Sequence, residues 1–389
     1  MIDIRITAAF LLALSLTACG GGGNPSGVGG QQPVSYSYTM PASNGDGWAV
    51  GHLDDHNINS ALIVAMMDRI HDDSFPGIDS LAIVRNDTLV LSEQLRRGLD
   101  EFDAWGNNSN VEKHVLHSTS KSVTSALVGI AIDQGYIAGT DVLFYDMFSY
   151  GSYAFWDPRK ATMTLDDALT MRLGLQWDEW TEPYGTPNNS LTILTGNNND
   201  FAKALLDLPM VDDPGTIYIY NTAATIAIGQ ALETAVGVPM EDFAETHLFR
   251  PLQITTASWG MTRNGLPNGG GGLFLKTRDM VKFGQLFINN GSWQGQQLIS
   301  AAWVALSVES HVSLGWSFTE GYGYQWWIDD FIVAGERIRS YSTRGYGGQY
   351  IFCIPDRQLV VAFTGHNYGE PEAGQVLDLM RDYILPAAN

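Results

Sequence analysis

Charged side chains are scarce in this chain, and those of positive sign are the scarcest. Of 389 residues only 16% are Asp, Glu, Lys or Arg, and 21 Lys and Arg stand against 42 Asp and Glu, a net charge of -21. Proteins that bind nucleic acid carry clustered Lys and Arg, so this balance argues against nucleic acid as a partner. The hydrophobic content of 45% indicates that most of the chain is globular.

Cysteine is almost absent, because the chain contains only Cys19 and Cys353. Cys19 ends a predicted export segment, which leaves Cys353 without a disulfide partner. Cys353 lies in the apolar run Tyr350 to Ile354, which predicts a buried strand. A thiol in that setting packs as a small apolar side chain, so we do not expect Cys353 to be a nucleophile.

Several signatures of other chemistries are missing as well. The chain has no His-Glu-x-x-His, Cys-x-x-Cys or Gly-x-Ser-x-Gly, which excludes the zincin, thioredoxin and α/β-hydrolase patterns. His52 and His56 could share one helical face, but their polar segment offers no obvious third ligand. The glycine run Asn268 to Gly272 is not followed by Gly-Lys-Ser or Gly-Lys-Thr, so it is not a phosphate loop. We therefore expect no metal and no organic cofactor.

The first residues predict a targeting segment. Residues 1–19 contain Arg5, an apolar run from Ala8 to Leu16 and the ending Leu16-Thr17-Ala18-Cys19. An apolar run this short does not span a bilayer, and small residues before a cleavage point mark a secretory signal. The ending resembles the bacterial lipoprotein box, which would make Cys19 the lipid-carrying first residue of the mature protein. An ordinary cleaved signal peptide is the alternative.

The glycine-rich residues 20–37 predict a flexible tether between this segment and a folded domain. We therefore expect an exported bacterial lipoprotein at the periplasmic face of the outer membrane or at the cell surface. Its contact with the membrane would be made only through the lipid at Cys19.

Ser118 and Lys121 stand at the start of a predicted amphipathic helix that Gln134-Gly135 ends. Its buried face is marked by the apolar residues Val123, Ala126, Leu127, Ile130 and Ala131. The spacing places the serine hydroxyl and the lysine amine on one face, and burial would let the amine act as a base. Chance also supplies such pairs, with the lysine as a surface charge. No other lysine of the chain has a serine three residues before it.

Strand signals occur at both ends of the folded region, with helical and loop sequence between them. Leu81 to Leu91 and Tyr350 to Phe363 each predict a hairpin, and a helix is expected from about Gly374. The fold class is therefore α/β (α+β): an antiparallel sheet built from both termini, flanked by helices, with a large helical insertion. We assign residues 38–389 to one domain and about 140–275 to a helical subdomain.

The middle of the chain also carries loops rich in aromatic residues. Trp180 and Tyr184 lie in such a loop, and long loops in a helical region are suitable material for a substrate cleft. Aromatic side chains are more often part of a core, so both placements stay open.

The stretch Ser118 to Asp133 resembles the active-site helix of the serine β-lactamase and penicillin-binding-protein superfamily. It is most similar to the branch with class C β-lactamases, family VIII carboxylesterases and 6-aminohexanoate-dimer (nylon oligomer) hydrolases. Further blocks resemble that branch in the same order: Leu169 to Leu175, Leu248 to Leu252, Gly323 to Trp327 and Gly345 to Gln349. The resemblance covers nearly everything after the tether and implies a β-lactamase/transpeptidase-like fold.

The second motif of that superfamily, Tyr-x-Asn, corresponds to Tyr220-Asn221-Thr222. The resemblance implies that Tyr220 shares proton transfer with Lys121. Thr222 stands where the family has an asparagine that contacts substrate, which puts this contact in doubt. Tyr218 is a second candidate for the tyrosine, and a purely structural role for Tyr220 is the alternative to both.

The third motif corresponds to Thr343-Arg344-Gly345 on a sheet-edge strand. The resemblance implies that the backbone N–H groups of Ser118 and Tyr346 form an oxyanion hole, and Gly345 and Gly347 allow the backbone to approach the substrate closely. Thr343 carries no charge where the family uses a cation or an imidazole. Arg344 would point to the opposite face of the strand.

These observations favour a serine hydrolase that cleaves small-molecule esters or linear amides through an acyl-enzyme on Ser118. Lys121 and Tyr220 would serve as general base and acid. The alternatives are a peptidoglycan D-Ala-D-Ala carboxypeptidase or β-lactamase, and a surface-tethered binding protein that has the fold without turnover.

Overall fold

The computed structural model describes residues 35–316, 318–369 and 374–389. The predicted signal segment, Cys19 and the tether as far as residue 34 lie outside the described residues, so the predictions of export and lipidation stay predictions. The folded unit is Tyr36–Asn389. It begins two residues before the predicted domain start, because the Tyr36 hydroxyl group hydrogen-bonds Glu93 and the Tyr38 hydroxyl group donates to Val90 O at 2.8 Å.

The strands are β1 (Ala49–Val50), β2 (Ile78–Arg85), β3 (Thr88–Gln94), β4 (Lys113–Val115), β5 (Ser258–Trp259), β6 (Leu273–Lys276), β7 (Ser292–Trp293), β8 (Gln296–Gln297), β9 (Val312–Ser313), β10 (Thr319–Tyr322), β11 (Trp327–Val333), β12 (Glu336–Gly345), β13 (Gln349–Ile354) and β14 (Leu359–Gly365). The α-helices are α1 (Ser60–His71), α2 (Ser120–Asp133), α3 (Leu165–Leu169), α4 (Ser190–Asn197), α5 (Phe201–Leu206), α6 (Thr222–Val236), α7 (Met240–Ala244), α8 (Thr277–Ile288), α9 (Ala301–Ser307), α10 (Gln375–Leu379) and α11 (Leu385–Ala387).

Shorter helical segments join these elements. Single 3₁₀ turns occupy Asp54–His56, Asp103–Gly106, His117–Thr119, Phe144–Met147, Pro158–Thr162 and Pro355–Arg357. Two π-helical segments, Glu245–Phe249 and Met380–Ile384, continue α7 and α10. Within the ranges given above, no helix combines the length and the apolar character that a bilayer span requires.

The main sheet has nine strands in the order β1-β3-β2-β14-β13-β12-β11-β10-β9. All neighbouring pairs are antiparallel except β1 and β3. The two ends of the folded unit meet in the centre, where Leu359 on β14 lies opposite Arg85 on β2 and Gly365 lies opposite Ile78. The predicted antiparallel sheet built from both termini is therefore confirmed.

Successive residues of the central strands enter two different cores, as the two-residue period of a strand requires. On β14, Val360 and Ala362 pack in a core that also contains residues of α2, α6 and α8. Leu359, Val361 and Phe363 pack on the opposite face with residues of α1 and α10. The sheet is thus covered on both faces, and α2 belongs to the larger of the two cores.

Helix α2 is more deeply buried than its sequence predicts. We expected one buried face, but every residue from Ser120 to Ala131 is buried. Hydrogen bonds to distant loops compensate two of its polar residues: Ser122 Oγ donates to Gln325 O at 2.6 Å, and Thr124 Oγ1 donates to Gly269 O at 2.9 Å. The expectation failed because polar side chains can be buried once a backbone carbonyl accepts from them.

The sequence did not reveal the hairpin of β11 and β12. These strands pair over seven positions, from Trp327 opposite Ser342 to Val333 opposite Glu336. Their sequence mixes acidic and basic residues with apolar ones, and one buried charge pair holds them together. Asp329 on β11 is fully buried, and its carboxylate pairs with the Arg344 guanidinium and accepts from Ser342 Oγ at 2.5 Å.

Removing the cation of this pair should destabilise the fold. Arg344→Met leaves the buried Asp329 carboxylate without its cation, and we expect a loss of about 3 kcal/mol in the free energy of unfolding at pH 8. The double variant Arg344→Met/Asp329→Asn should lose less, because no buried charge remains. Chemical denaturation measures both values, with Arg339→Met on the exposed side of β12 as the matched control. Equal losses in the single and the double variant would contradict this account.

Candidate active site

Ser118 and Lys121 are in contact. Ser118 lies in the 3₁₀ turn His117–Thr119 that runs directly into α2, and Lys121 belongs to the first turn of that helix. The Lys121 Nζ lies 3.0 Å from Ser118 Oγ and donates to Gly270 O at 2.6 Å. Its side chain is 1% exposed. The lysine is therefore not a solvated surface charge, which was the alternative that the sequence left open.

Burial makes the ammonium form of Lys121 unfavourable. It lowers the pKa of the amine from 10.5 to about 8, although the negative charge of Glu179 acts in the opposite direction. A fraction of about one tenth is then uncharged at pH 7. An uncharged amine can accept a proton from the Ser118 hydroxyl while it still donates to Gly270 O. The arrangement is that of a nucleophile with an adjacent base.

Tyr220 lies on the other side of the same pair. Its ring centroid is 5.1 Å from Lys121 Nζ, and its hydroxyl group hydrogen-bonds the Ser118 side chain. Burial, together with the charge of Glu179, raises the pKa of the phenol well above its usual range, against a smaller opposing effect of that hydrogen bond. The phenol therefore keeps its proton at neutral pH and is a hydrogen-bond donor.

The start of α6 fixes the position of Tyr220. Asn221 is the N-cap residue of this helix, and its Oδ1 accepts from Ala224 N at 2.9 Å. Tyr218, the second candidate for the tyrosine role, packs edge-on against Tyr322 with 5.3 Å between ring centroids. The structure thus brings Tyr220, and not Tyr218, to Ser118.

Both hydrogen-bond donors of Thr222 are engaged by a buried carboxylate. Its backbone N donates to Glu179 Oε2 at 2.7 Å and its Oγ1 donates to Glu179 Oε1 at 2.6 Å. Thr222 is itself buried. Thr222 therefore binds Glu179 in the protein interior, at the position where the resemblance implies a contact with substrate.

Three partly exposed rings form a rim beside Ser118, which we call the aromatic rim: Trp180, Tyr184 and Trp316. Trp180 stacks on Tyr220 with 4.9 Å between ring centroids, and Trp316 lies 5.9 Å from Trp180. Tyr184 packs edge-on against Tyr346 at 5.5 Å. Trp180 is 50% exposed and Tyr184 is 38% exposed, so these two predicted substrate residues lie at the site with area left to contact a ligand.

The end of β12 lies directly against the turn that carries Ser118. Thr119 Oγ1 donates to Gln349 O on β13 at 3.2 Å. A Cβ atom on Gly345 would stand 2.1 Å from Leu116 O, so only glycine permits this approach. Pairing with β11 stops at Ser342, which makes Thr343 to Gly345 a local sheet edge. The use of the Ser118 and Tyr346 N–H groups as an oxyanion hole stays a prediction.

The two residues before Gly345 face opposite ways. Thr343 Oγ1 donates to Thr119 Oγ1 at 3.2 Å. Arg344 pairs with Asp329, and its guanidinium carbon lies 4.8 Å from the centroid of the Trp327 ring. The Arg344 guanidinium is thus engaged with a carboxylate and an aromatic ring.

His117 is a strained neighbour of the nucleophile that sequence reasoning did not single out. Its φ of 44° lies in the left-handed region, which a residue with a side chain seldom adopts. The ring packs against Phe102 and Tyr368 with centroids 4.7 and 5.6 Å away. Burial lowers the pKa of its imidazole to about 3, so His117 is uncharged next to Ser118.

Two other contributions were missed. Gly270 belongs to a glycine run that we considered only as a phosphate loop, yet its carbonyl accepts from Lys121. Glu179 stood between two tryptophans without an assigned role, although it is buried and hydrogen-bonded to Thr222. Cys353 is buried in β13, and burial raises the pKa of its thiol. Within the described ranges, no cluster of three or more His, Cys, Asp or Glu could hold a metal ion.

Comparison with known proteins decides the family. The Beta-lactamase family profile matches residues 60–383. The chain belongs to the beta-lactamase family. A beta-lactamase-family chain with this pair of residues at the start of a buried helix is a serine hydrolase.

Relatives of this beta-lactamase-family protein have several activities. The chain is 25% identical over 326 residues to a 6-aminohexanoate-dimer hydrolase of Paenarthrobacter ureafaciens, covering 78% of each chain. It is similar in fold to a family VIII carboxylesterase (TM-score 0.62, 14% identity, 84% of this chain and 97% of the other). It is also similar to a beta-lactamase/D-alanine carboxypeptidase of Yersinia pestis (TM-score 0.62, 17% identity, 85% of this chain and 100% of the other).

The close approach at Gly345 should be essential for activity. Gly345→Ala places a methyl group against Leu116 O and forces the strand end away from Ser118, so we expect kcat/KM to fall by about 100-fold. Ester hydrolysis with purified protein measures this loss. Gly196→Ala is the matched control, because its added methyl group meets open space. A Gly345→Ala variant with full activity would contradict the proposed geometry.

Proposed function

We propose that this protein hydrolyses uncharged esters or linear amides through an acyl-enzyme on Ser118. The single observation that carries the proposal is the 3.0 Å contact between Ser118 Oγ and the buried Lys121 amine, with Tyr220 hydrogen-bonded to the same serine. A serine hydroxyl is a weak nucleophile until a neighbouring base takes its proton, and this contact supplies the base.

The first half of the reaction is acylation. Uncharged Lys121 accepts the Ser118 proton, and Oγ forms a bond with the substrate carbonyl carbon. The negative charge that develops on the carbonyl oxygen is stabilised by the N–H groups of Ser118 and Tyr346. The C–O or C–N bond then breaks, and Lys121, directly or through the Tyr220 hydroxyl, returns the proton to the leaving group.

The second half releases the acid. A water molecule gives a proton to Lys121 and attacks the acyl carbon, and the bond to Ser118 Oγ breaks as the serine regains its proton. The opposite pKa shifts of the two groups support these roles. The pKa of Lys121 is lowered toward neutrality, so its amine acts as the base, whereas the pKa of Tyr220 is raised, so its phenol stays a hydrogen-bond donor.

The surroundings of Ser118 favour substrates without a carboxylate next to the reacting carbonyl. Thr343 carries no charge, and the Arg344 guanidinium is paired with Asp329. The aromatic rim offers partly exposed rings on which an apolar acyl or alcohol group can pack. A 6-aminohexanoate-dimer hydrolase relative and a family VIII carboxylesterase of similar fold agree with linear amide and ester bonds as substrates.

Removing the nucleophile should abolish hydrolysis. We expect Ser118→Ala to lower kcat/KM for a short-chain nitrophenyl ester by about 1000-fold or more and to prevent labelling by a fluorophosphonate probe. Ser149→Ala, at an exposed position, is the control and should behave as the parent protein. The same assay with a linear amide, a D-Ala-D-Ala peptide and a chromogenic cephalosporin compares the substrate classes. Turnover retained by Ser118→Ala would refute the assignment.

The buried amine should set the pH dependence. The base is active only when uncharged, and the Lys121 pKa is lowered to about 8, so kcat/KM should rise with pH and level off above that value. Below it, we expect a fall of about tenfold per pH unit. A profile of ester hydrolysis from acid to alkaline pH, corrected for spontaneous hydrolysis, measures this limb. A flat profile between neutral and alkaline pH would exclude Lys121 as the base.

A further inference from the structure

Glu179 is a buried carboxylate that is hydrogen-bonded to Thr222, two residues after Tyr220. Its side chain is 2% exposed, and four donors surround it. Oε2 accepts from Trp177 Nε1 at 2.8 Å and from the Thr222 backbone N at 2.7 Å. Oε1 accepts from Thr222 Oγ1 at 2.6 Å and from the Tyr184 hydroxyl group at 3.0 Å. One carboxylate thus joins the loop that carries Trp177 and Tyr184 to the start of α6.

The hydrogen bonds determine the charge of this group. An indole N–H and a backbone N–H can only donate, so Oε2, which accepts from both, carries no proton. At Oε1 the hydroxyl groups of Thr222 and Tyr184 both donate. Within the described residues, no Lys, Arg or His forms an ion pair with this carboxylate. Glu179 is a buried anion that four donors surround, and its charge also acts on the Lys121 amine.

The anion is coupled to both proton-transfer residues. Thr222, which donates twice to Glu179, stands two residues after Tyr220 in the chain, so the carboxylate fixes the backbone that positions the phenol. Trp180 follows Glu179 directly and stacks on the Tyr220 ring. The negative charge also reaches the Lys121 amine and favours its ammonium form.

We propose that Glu179 is a positioning residue, which holds Tyr220 and the loop of Trp180 and Tyr184 against Ser118 and supplies a negative charge that faces the Lys121 amine. The inference rests on the proposed function, because it assigns Lys121 as the base. It goes further by naming a residue that touches no substrate and still sets the pH at which the base becomes available.

Other groups face Lys121 and do not replace this charge. Ser118 and Gly270 supply uncharged partners, and Tyr220 keeps its proton. His117 is uncharged because burial lowers the pKa of its imidazole to about 3. Glu179 supplies a negative charge among these groups, so its removal should leave the ammonium form of Lys121 less stable than before.

The test is the pH profile of Glu179→Gln, which removes the charge and keeps the shape of the side chain. We expect the acid limb of kcat/KM to move to lower pH by about half a unit or more, because the pKa of Lys121 falls further. The maximal kcat should fall by about 10- to 100-fold, because the Gln NH₂ group faces the Thr222 and Tyr184 hydroxyl groups, which must turn from donors into acceptors and no longer hold the loop against Tyr220 in the same way. Glu182→Gln, three residues along the same loop, is the matched control and should keep both values.

The outcomes separate the two proposals. A Glu179→Gln enzyme that is less stable or slower, but has its acid limb at the pH of the parent, would overturn the role of the charge and leave the proposed function standing. If Glu179→Gln does not fold, the test uses Glu179→Asp, which keeps the charge but moves it away from its hydrogen-bond donors. For this variant we expect a reduced kcat and a smaller shift of the acid limb of kcat/KM toward lower pH. An unchanged kcat would overturn the inference. A parent protein without Ser118-dependent hydrolysis would overturn the proposed function and this inference with it.

Discussion

The structure depends on the burial of one lysine amine beside one serine hydroxyl. A cation this far from water is unfavourable, so the protein must surround the amine closely enough to exclude solvent and still offer it hydrogen-bond partners. Three distant segments meet that requirement: α2 carries Lys121, the glycine run provides the Gly270 carbonyl, and the start of α6 brings Tyr220. The same enclosure lowers the pKa of the amine and excludes it from bulk water.

The surroundings of the amine include two opposed influences and one strained residue. Burial favours the uncharged amine, whereas the Glu179 anion favours the ammonium form, and the resulting pKa of Lys121 is about 8. At His117 the backbone adopts a left-handed conformation immediately before Ser118. Strain of this kind persists only where the surrounding packing fixes it, and here Phe102 and Tyr368 hold the ring in place. The stability of the two cores therefore supports a locally unfavourable site.

Local patterns predicted part of this arrangement. Helix α2 ends at Asp133, where Gln134-Gly135 predicted its end, and the hairpins at both ends formed as their apolar runs predicted. The pairing of β11 with β12 was missed, although residues 343–345 were expected on a strand, because the charges of Asp329 and Arg344 neutralise each other only in the folded interior. The complete burial of α2 was missed for a related reason. Ser122 and Thr124 donate to carbonyl groups in loops that lie far away in the chain, and a single sequence does not show such partners.

For the site, short-range spacing sufficed to pair Ser118 with Lys121, because three residues on a helix fix that distance. Tyr220 could be placed only through a family resemblance, since about a hundred residues separate it from Ser118. Glu179 and Gly270 were not assigned at all. Each acts through a single carboxylate or carbonyl oxygen, and the directions of such atoms depend on loop conformations that composition does not encode.

The central pairing of β2 with β14 also has a consequence for how the chain reaches its native state. These neighbours come from opposite ends of the folded unit, and Gly365 lies opposite Ile78. During synthesis the first hairpin must wait, with its inner edge unpaired, until nearly the last strand has left the ribosome. An unpaired edge of this length readily recruits other strands, so the incomplete chain is prone to aggregation until β14 pairs with β2. Loss of the C-terminal strand would leave an aggregation-prone remnant rather than a smaller enzyme.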